Sequence, residues 1–282
     1  MREKPYYSVR TGKNPLTGNI DLSTLLRLFR PIYEHFDADG YFQEDLGYDC
    51  VDEGFVPGSL GYDLDGIILL DLRKTDLTPV REHLSNYSED DLFDVIEFLY
   101  DHCSKPTKRI YHEFSNCGWH CTKFDRQQGR LEYRGRVNRI LKVYKDGFEL
   151  SLDGEILLLP ETGLEALLEA PVPSIDPENI NARIETALRK FRRYRSSLDE
   201  RRDAVRDLAD VLEYLRPKIK DVLTSKDESD LFNLANNFGI RHHNESQKDK
   251  YDKAIWYSWL FYYYLATIHA VLRLIAKAEE PT

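Results

Sequence analysis

Ala254 to Leu272 runs for 19 residues without Asp, Glu, Lys or Arg. A stretch of that length must either cross a bilayer or be buried in protein. Its middle holds Trp256, Tyr257, Ser258, Trp259, Tyr262, Tyr263, Tyr264, Thr267 and His269. Polar-tipped aromatics belong at membrane edges, and here they fill the centre. The run is therefore expected to be a bundle-core or dimer-interface helix rather than a membrane span. It should extend from about Asp249 to Lys277 and, being apolar nearly all round, be the most buried helix of its domain.

Pro171, Pro173 and Pro177 fall within seven residues, a spacing no helix or central strand tolerates. They divide the chain into an acidic α+β domain over 1–170, a linker over 171–177 and a helical bundle over 178–282. Asp176 caps the first bundle helix, with Pro177 at its first position, and that helix runs to about Tyr194, burying Ile184, Leu188 and Phe191. A second helix spans about Asp199 to Leu223. Its Val205, Leu208, Leu212, Leu215, Ile219 and Val222 alternate at spacings of three and four, which is the seam of a bundle. Pro217 should kink it. A short third helix covers about Glu228 to Phe238, with Gly239 as its stop. Four helices with short connections predict an antiparallel bundle.

The first part is mixed. Asp21 to Phe36 reads as a helix, and 37–66, rich in Gly and Asp, as loops. Gly66 to Leu72 reads as a buried strand or a helical turn. Ser88 begins a capping box and a helix to about Cys103. Arg130 to Tyr144 is a further helix. Phe148 to Leu152 and Glu155 to Leu159 flank Asp153-Gly154, a strong hairpin signal. Helix followed by hairpin is the outline of a winged-helix module, which would bring Arg130, Arg134, Arg136 and Arg139 to a nucleic acid.

Net charge excludes indiscriminate nucleic-acid binding, since the 282-residue chain stands at −10. The acidity is uneven: residues 1–125 carry 13 Lys or Arg and 23 Asp or Glu. A local basic stripe begins at Arg183 and includes Arg189, Lys190, Arg192, Arg193 and Arg195, with Phe191 and Tyr194 between them. It suits a nucleic-acid backbone, and equally an acidic partner or a solvated helix–helix turn. Four cysteines are too few for a disulfide scaffold, and the first residues lack the apolar core of a signal peptide, so a reducing cytoplasm is expected.

The sharpest constellation is Phe238-Gly239-Ile240-Arg241-His242-His243-Asn244. Arg241 offers a permanent planar cation for a phosphate, His242 or His243 an acid–base group near neutrality, and Asn244 a group to orient it. These are the parts of metal-independent RNA cleavage, and equally of a polar loop that caps helices. A helical bundle with a short helix, a Gly-Ile-Arg turn, a His/Asn cluster and a long closing helix resembles the C-terminal domain of abortive-infection proteins and the wider HEPN superfamily. The resemblance covers about residues 176–282. It implies a cytoplasmic homodimer, a metal-independent endoribonuclease without cofactors, RNA as ligand, and a place in prokaryotic antiviral defence beside a partner protein. The family's Arg is followed, after four to six residues, by a His. Here Arg241 matches the Arg, while Ser246, Gln247 and Lys248 occupy the later positions and the histidines follow Arg241 directly. Two readings stay open: a compressed catalytic loop, or a bundle that has lost catalysis and serves as a sensor or scaffold.

Two further sets are weaker. His112, Cys117, His120 and Cys121, with His102 and Cys103 upstream, offer zinc ligands, but adjacent donors at 120 and 121 are awkward. Buried thiols and satisfied histidines are the default, so no metal is expected. Asp63, Asp65, Asp71 and Lys74 faintly match a metal-dependent nuclease pattern, with Arg73 standing where the lysine belongs. Solvated charges at a strand edge are the expectation there.

Overall fold

A computed structural model describes residues 7–13, 19–161, 163–173, 176–224, 226, 229–233 and 252–279. The chain divides into two compact units, Met1–Leu159 and Pro160–Thr282. The first is mixed α/β with short hairpins, and the second is rich in helix.

In the first unit a single turn, α1 (Tyr7–Arg10), precedes α2 (Leu22–Ala38). Asp21 caps α2 by accepting from the Thr24 amide at 2.8 Å. Leu25, Phe29, Tyr33 and Phe36 recur at helical spacing and form its buried face. Next come α3 (Gln43–Leu46), β1 (Tyr48–Cys50) and β2 (Gly54–Val56), in a region expected as loops. The apolar run from Gly66 is helix, not strand. It lies in α4 (Leu64–Leu72), where Ile68 is buried and Leu69 and Leu70 are exposed. After α5 (Val80–His83), α6 (Glu89–Asp101) begins at the expected capping box, closed between Ser88 and Asp91. The hairpin of β3 (Lys105–His112) and β4 (Gly118–Asp125) carries no alternating pattern and was not expected. Then α7 (Arg126–Leu141) starts at Arg126 rather than Arg130, because Asp125 caps it through the Gln128 amide at 3.0 Å. The predicted hairpin follows as β5 (Phe148–Leu150) and β6 (Ile156–Leu158). The strands form three separate two-stranded antiparallel sheets. Helix α2 meets α7 through the edge-on rings of Phe36 and Tyr133 at 5.3 Å, and α6 meets β5 through Phe93 and Phe148 at 5.2 Å.

The second unit opens with α8 (Glu165–Glu169). Leu164, Leu167, Leu168 and Val172 pack against the core of this unit, so the chain ahead of Pro173 already belongs to it. Asp176 accepts from the Asn179 amide at 3.1 Å and from the Tyr214 hydroxyl at 2.7 Å, pinning the helix start to its neighbour. One wide turn at Pro177–Asn181 leads into α9 (Ala182–Arg192). A capping box of Ser197 and Glu200 opens α10 (Leu198–Val222), which contains Pro217. Residues 229–233 are helical and Leu231 is buried; the rest of the expected third helix lies outside the described residues. The long apolar run is α11 (Lys253–Glu279). Of the predicted seam of α10, Val205, Leu208, Leu212, Leu215 and Ile219 lie in one core with Ile184 and Phe191 of α9 and Leu260, Phe261, Leu265, Ile268 and Leu272 of α11, and the Val222 side chain lies outside those described. Phe191 lies flat on Phe261 at 3.9 Å. By length and composition α11 could cross a membrane, and half of its apolar window is buried. It is not buried all round, because Ile255, Trp259 and Leu274 face outward.

Candidate functional site

Arg241, His242, His243 and Asn244 lie outside the described residues. The basic stripe is described. Arg189, Lys190 and Arg192 are on α9, and Arg193 and Arg195 in the turn to α10. Lys190 pairs with Asp207 at 2.6 Å, Arg193 reaches Glu200 at 3.9 Å, and Arg195 stacks over Tyr194 at 4.9 Å. Lys190 and Arg193 thus share their charge with α10 carboxylates within their own unit.

The clearest convergence of chemical groups lies in the first unit. Donor atoms of Cys50, His112, Cys117 and His120 all fall within 4.8 Å of one another. Cys50 Sγ is 3.8 Å from His112 Nδ1, and Cys117 Sγ is 3.2 Å from His120 Nε2. The strand register explains the two histidines. Ile110 pairs with His120 and His112 with Gly118, so His112, two residues beyond Ile110, shares a sheet face with His120. Their rings meet at 5.1 Å. Cys117 closes the connection between the strands, where Ser115, Asn116 and Gly118 all take positive φ. Cys50 arrives from the end of β1. Outside the four donors, Asp52 Oδ2 lies 3.2 Å from His112 Nε2, the ring nitrogen turned away from Cys50.

Cys121 does not join them. It follows His120 directly, so strand alternation turns it to the opposite face, where its amide donates to Gln43 Oε1 at 3.0 Å. Cys103 is fully buried and His102 is bound to Asp45. Burial pushes the Cys103 and Cys121 thiols up, which keeps both protonated.

A second polar cluster centres on Asp45, which is 3% exposed. Arg126 grips it with both terminal nitrogens at 2.8 and 2.9 Å, Ser59 Oγ donates at 2.6 Å, and His102 Nδ1 lies at 2.9 Å. Burial works against the charge, but the hydrogen bonds from Arg126, Ser59 and His102 outweigh it and bring the carboxyl down to about 2. Every partner is satisfied, so the cluster acts as a pin joining α3, the end of α6 and the start of α7.

The carboxylate set does not converge. Asp63 caps α4 through the Gly66 amide, Asp65 accepts from Thr78, and Lys74 bridges Asp91 and Asp94 on α6 at 2.8 and 2.6 Å. The arginines of the winged-helix reading are partly committed as well. Arg130 donates to the Tyr100 and Asp101 carbonyls, and Arg134 to the Leu150 carbonyl.

The residue that sequence reasoning missed is Cys50. It stands 62 positions before His112, on a separate hairpin, and no local spacing connects them. The available signal was a lone cysteine in a stretch rich in Asp and Gly. No family model matches the chain, and neither a curated protein nor a solved structure is detectably similar to it.

Proposed function

We propose that this chain is a homodimeric effector of prokaryotic antiviral defence whose helical bundle is a HEPN-like, metal-independent endoribonuclease. In this reading Arg241 binds the scissile phosphate, His243 or His242 exchanges the proton, and Asn244 orients the imidazole. The observation that carries it is the start of α11, nine residues after Asn244 in the sequence, where Ile255 (66%) and Trp259 (43%) are exposed beside Asp252 and Lys253. In this reading these two side chains supply the apolar part of a two-fold contact. A two-fold contact through that end of α11 would bring the loops of both copies to one interface.

The test uses purified full-length protein and varied RNAs without magnesium or manganese. Cleavage should occur, and it should be lost in Arg241→Ala and His243→Ala. Trp259→Glu should sediment as a monomer and lose cleavage with it. A second reading, a non-catalytic dimeric sensor or scaffold, is favoured by Ser246, Gln247 and Lys248 where the family carries its histidine. Intact RNA, with the Trp259-dependent dimer preserved, would select that reading. Intact RNA together with a monomeric wild type removes both.

A further inference from the structure

We infer that Cys50, His112, Cys117 and His120 form a zinc site that holds the two hairpins β1–β2 and β3–β4 together. This site is independent of the bundle and of the ribonuclease reading.

The donor set fits the ion. Two thiolates and two imidazoles are the ligands of a tetrahedral structural zinc centre. With zinc bonded to sulfur at about 2.3 Å and to nitrogen at about 2.0 Å, a tetrahedron sets a sulfur–nitrogen edge of roughly 3.5 Å. Two of the four sulfur–nitrogen separations, 3.8 and 3.2 Å, bracket that edge, and all four donors lie within 4.8 Å of one another. Cys50 is buried and the other three donors are half-buried, so the centre lies at the junction of the hairpins and not on a solvated edge. Asp52 supplies an outer carboxylate. With His112 Nδ1 turned to the ion, Nε2–H donates to Asp52, which fixes the tautomer and raises the basicity of the ligand.

The fold around the site has little apolar burial of its own, and polar contacts such as Gln43 to the Trp119 carbonyl and Ser59 to Asp45 tie it to α3. From Leu46 to Ile67 the single buried residue is Cys50, and from Lys105 to Asp125 it is Cys121. Ile110, Tyr111 and Phe114 face outward. Isolated two-stranded hairpins are marginal in water, and small modules without a core hold together with metals or disulfides. All four cysteines are free thiols. Four protein donors close the coordination shell and leave no position for an activated water, so the ion is structural.

The experiment uses the full chain purified without chelator. Elemental analysis should find one zinc per chain. Cobalt titrated into the apoprotein should give the visible bands of tetrahedral thiolate ligation, unchanged by azide. Cys50→Ser and Cys117→Ser should abolish those bands, while Cys103→Ser and Cys121→Ser retain them. Asp52→Asn, an exposed change that leaves the donors intact, should weaken metal affinity by about 10- to 100-fold. Wild type that holds little zinc and gives no cobalt bands overturns the site without any variant having to fold. Bands that survive Cys50→Ser overturn the ligand set, and a spectrum that shifts with azide overturns the closed shell.

Discussion

Asp45 shows how much one side chain organises in the first unit. Its carboxylate binds a bidentate arginine, a serine and a histidine that come from separate parts of the sequence. Removing one partner of such a pair leaves buried charge uncompensated, which typically costs about 3 kcal/mol or more. Arg126 is partly solvated, so Asp45→Asn is expected to cost about 2 kcal/mol, read from the shift in urea midpoint at neutral pH. The pH dependence has a definite sign. The folded carboxyl sits at about 2, below the roughly 3.9 of an unfolded Asp. The unfolded chain therefore binds the proton first as pH falls. The stabilisation is complete above about pH 5, is lost as pH drops through 4 toward 2, and amounts to about 2 kcal/mol. Urea curves for wild type and Asp45→Asn should converge across that range. A constant gap from pH 7 to pH 2 would mean that Asp45 contributes through packing alone. None of this was legible in the sequence, because Asp45, Ser59, His102 and Arg126 have no shared spacing and meet only after the chain has folded.

Elements were legible where one local rule governed them. The capping box at Ser88 and the Asp176–Pro177 start lie within four residues, and each begins its helix where expected, whereas the box at Ser197 was not read and opens α10 at Leu198, just ahead of the expected Asp199. The seam of α10 and the Asp153–Gly154 hairpin also followed from period and turn chemistry. Hairpins β1–β2 and β3–β4 escaped because each buries a single residue, Cys50 in one and Cys121 in the other, so the alternation that reveals a strand was never under demand. Polar loop and metal-held hairpin look alike in sequence. Their backbone carries the specification instead. Gly47 has φ +83°, and a Cβ there would lie 2.3 Å from the Val56 carbonyl oxygen, inside the pairing of β1 with β2. Gly54 has φ +73° but open space around it. Gly47→Ala should therefore push β2 away and weaken cobalt binding although residue 47 is no ligand. Gly54→Ala should cost only the left-handed backbone penalty of about 1 kcal/mol and leave the affinity nearly unchanged. Equal effects at the two positions would show that β1–β2 geometry does not set the metal site.

At the scale of the whole molecule, both units bury an apolar core, and the first adds two hairpins that bury little. The second buries a continuous apolar core along α9, α10 and α11, with Leu208, Val211, Leu260, Phe261 and Leu272 essentially free of solvent. The first has its core where α2, α6 and α7 contribute Phe29, Leu92, Ile96, Tyr133 and Val137, joined by Phe148, Leu150, Ile156 and Leu157 of β5 and β6. With zinc bound, hairpins β1–β2 and β3–β4 are the parts that the four donors hold. Metal removal should therefore act regionally, because binding energy that organises a site is lost only where that site holds the fold. Hydrogen exchange followed by mass spectrometry can localise the loss. On chelation, amides of 48–56 and 105–124 should exchange faster, while those of α9, α10 and α11 keep their protection. A bundle that loosens to the same degree would refute the division of labour, and hairpins that stay protected would show that backbone pairing and the Asp45 pin hold them without the ion. The polar groups follow the same regional contrast. The first unit sets a polar, donor-rich pair of hairpins beside its apolar core, whereas in the helix-rich unit Lys190 and Arg193 pair with carboxylates of α10.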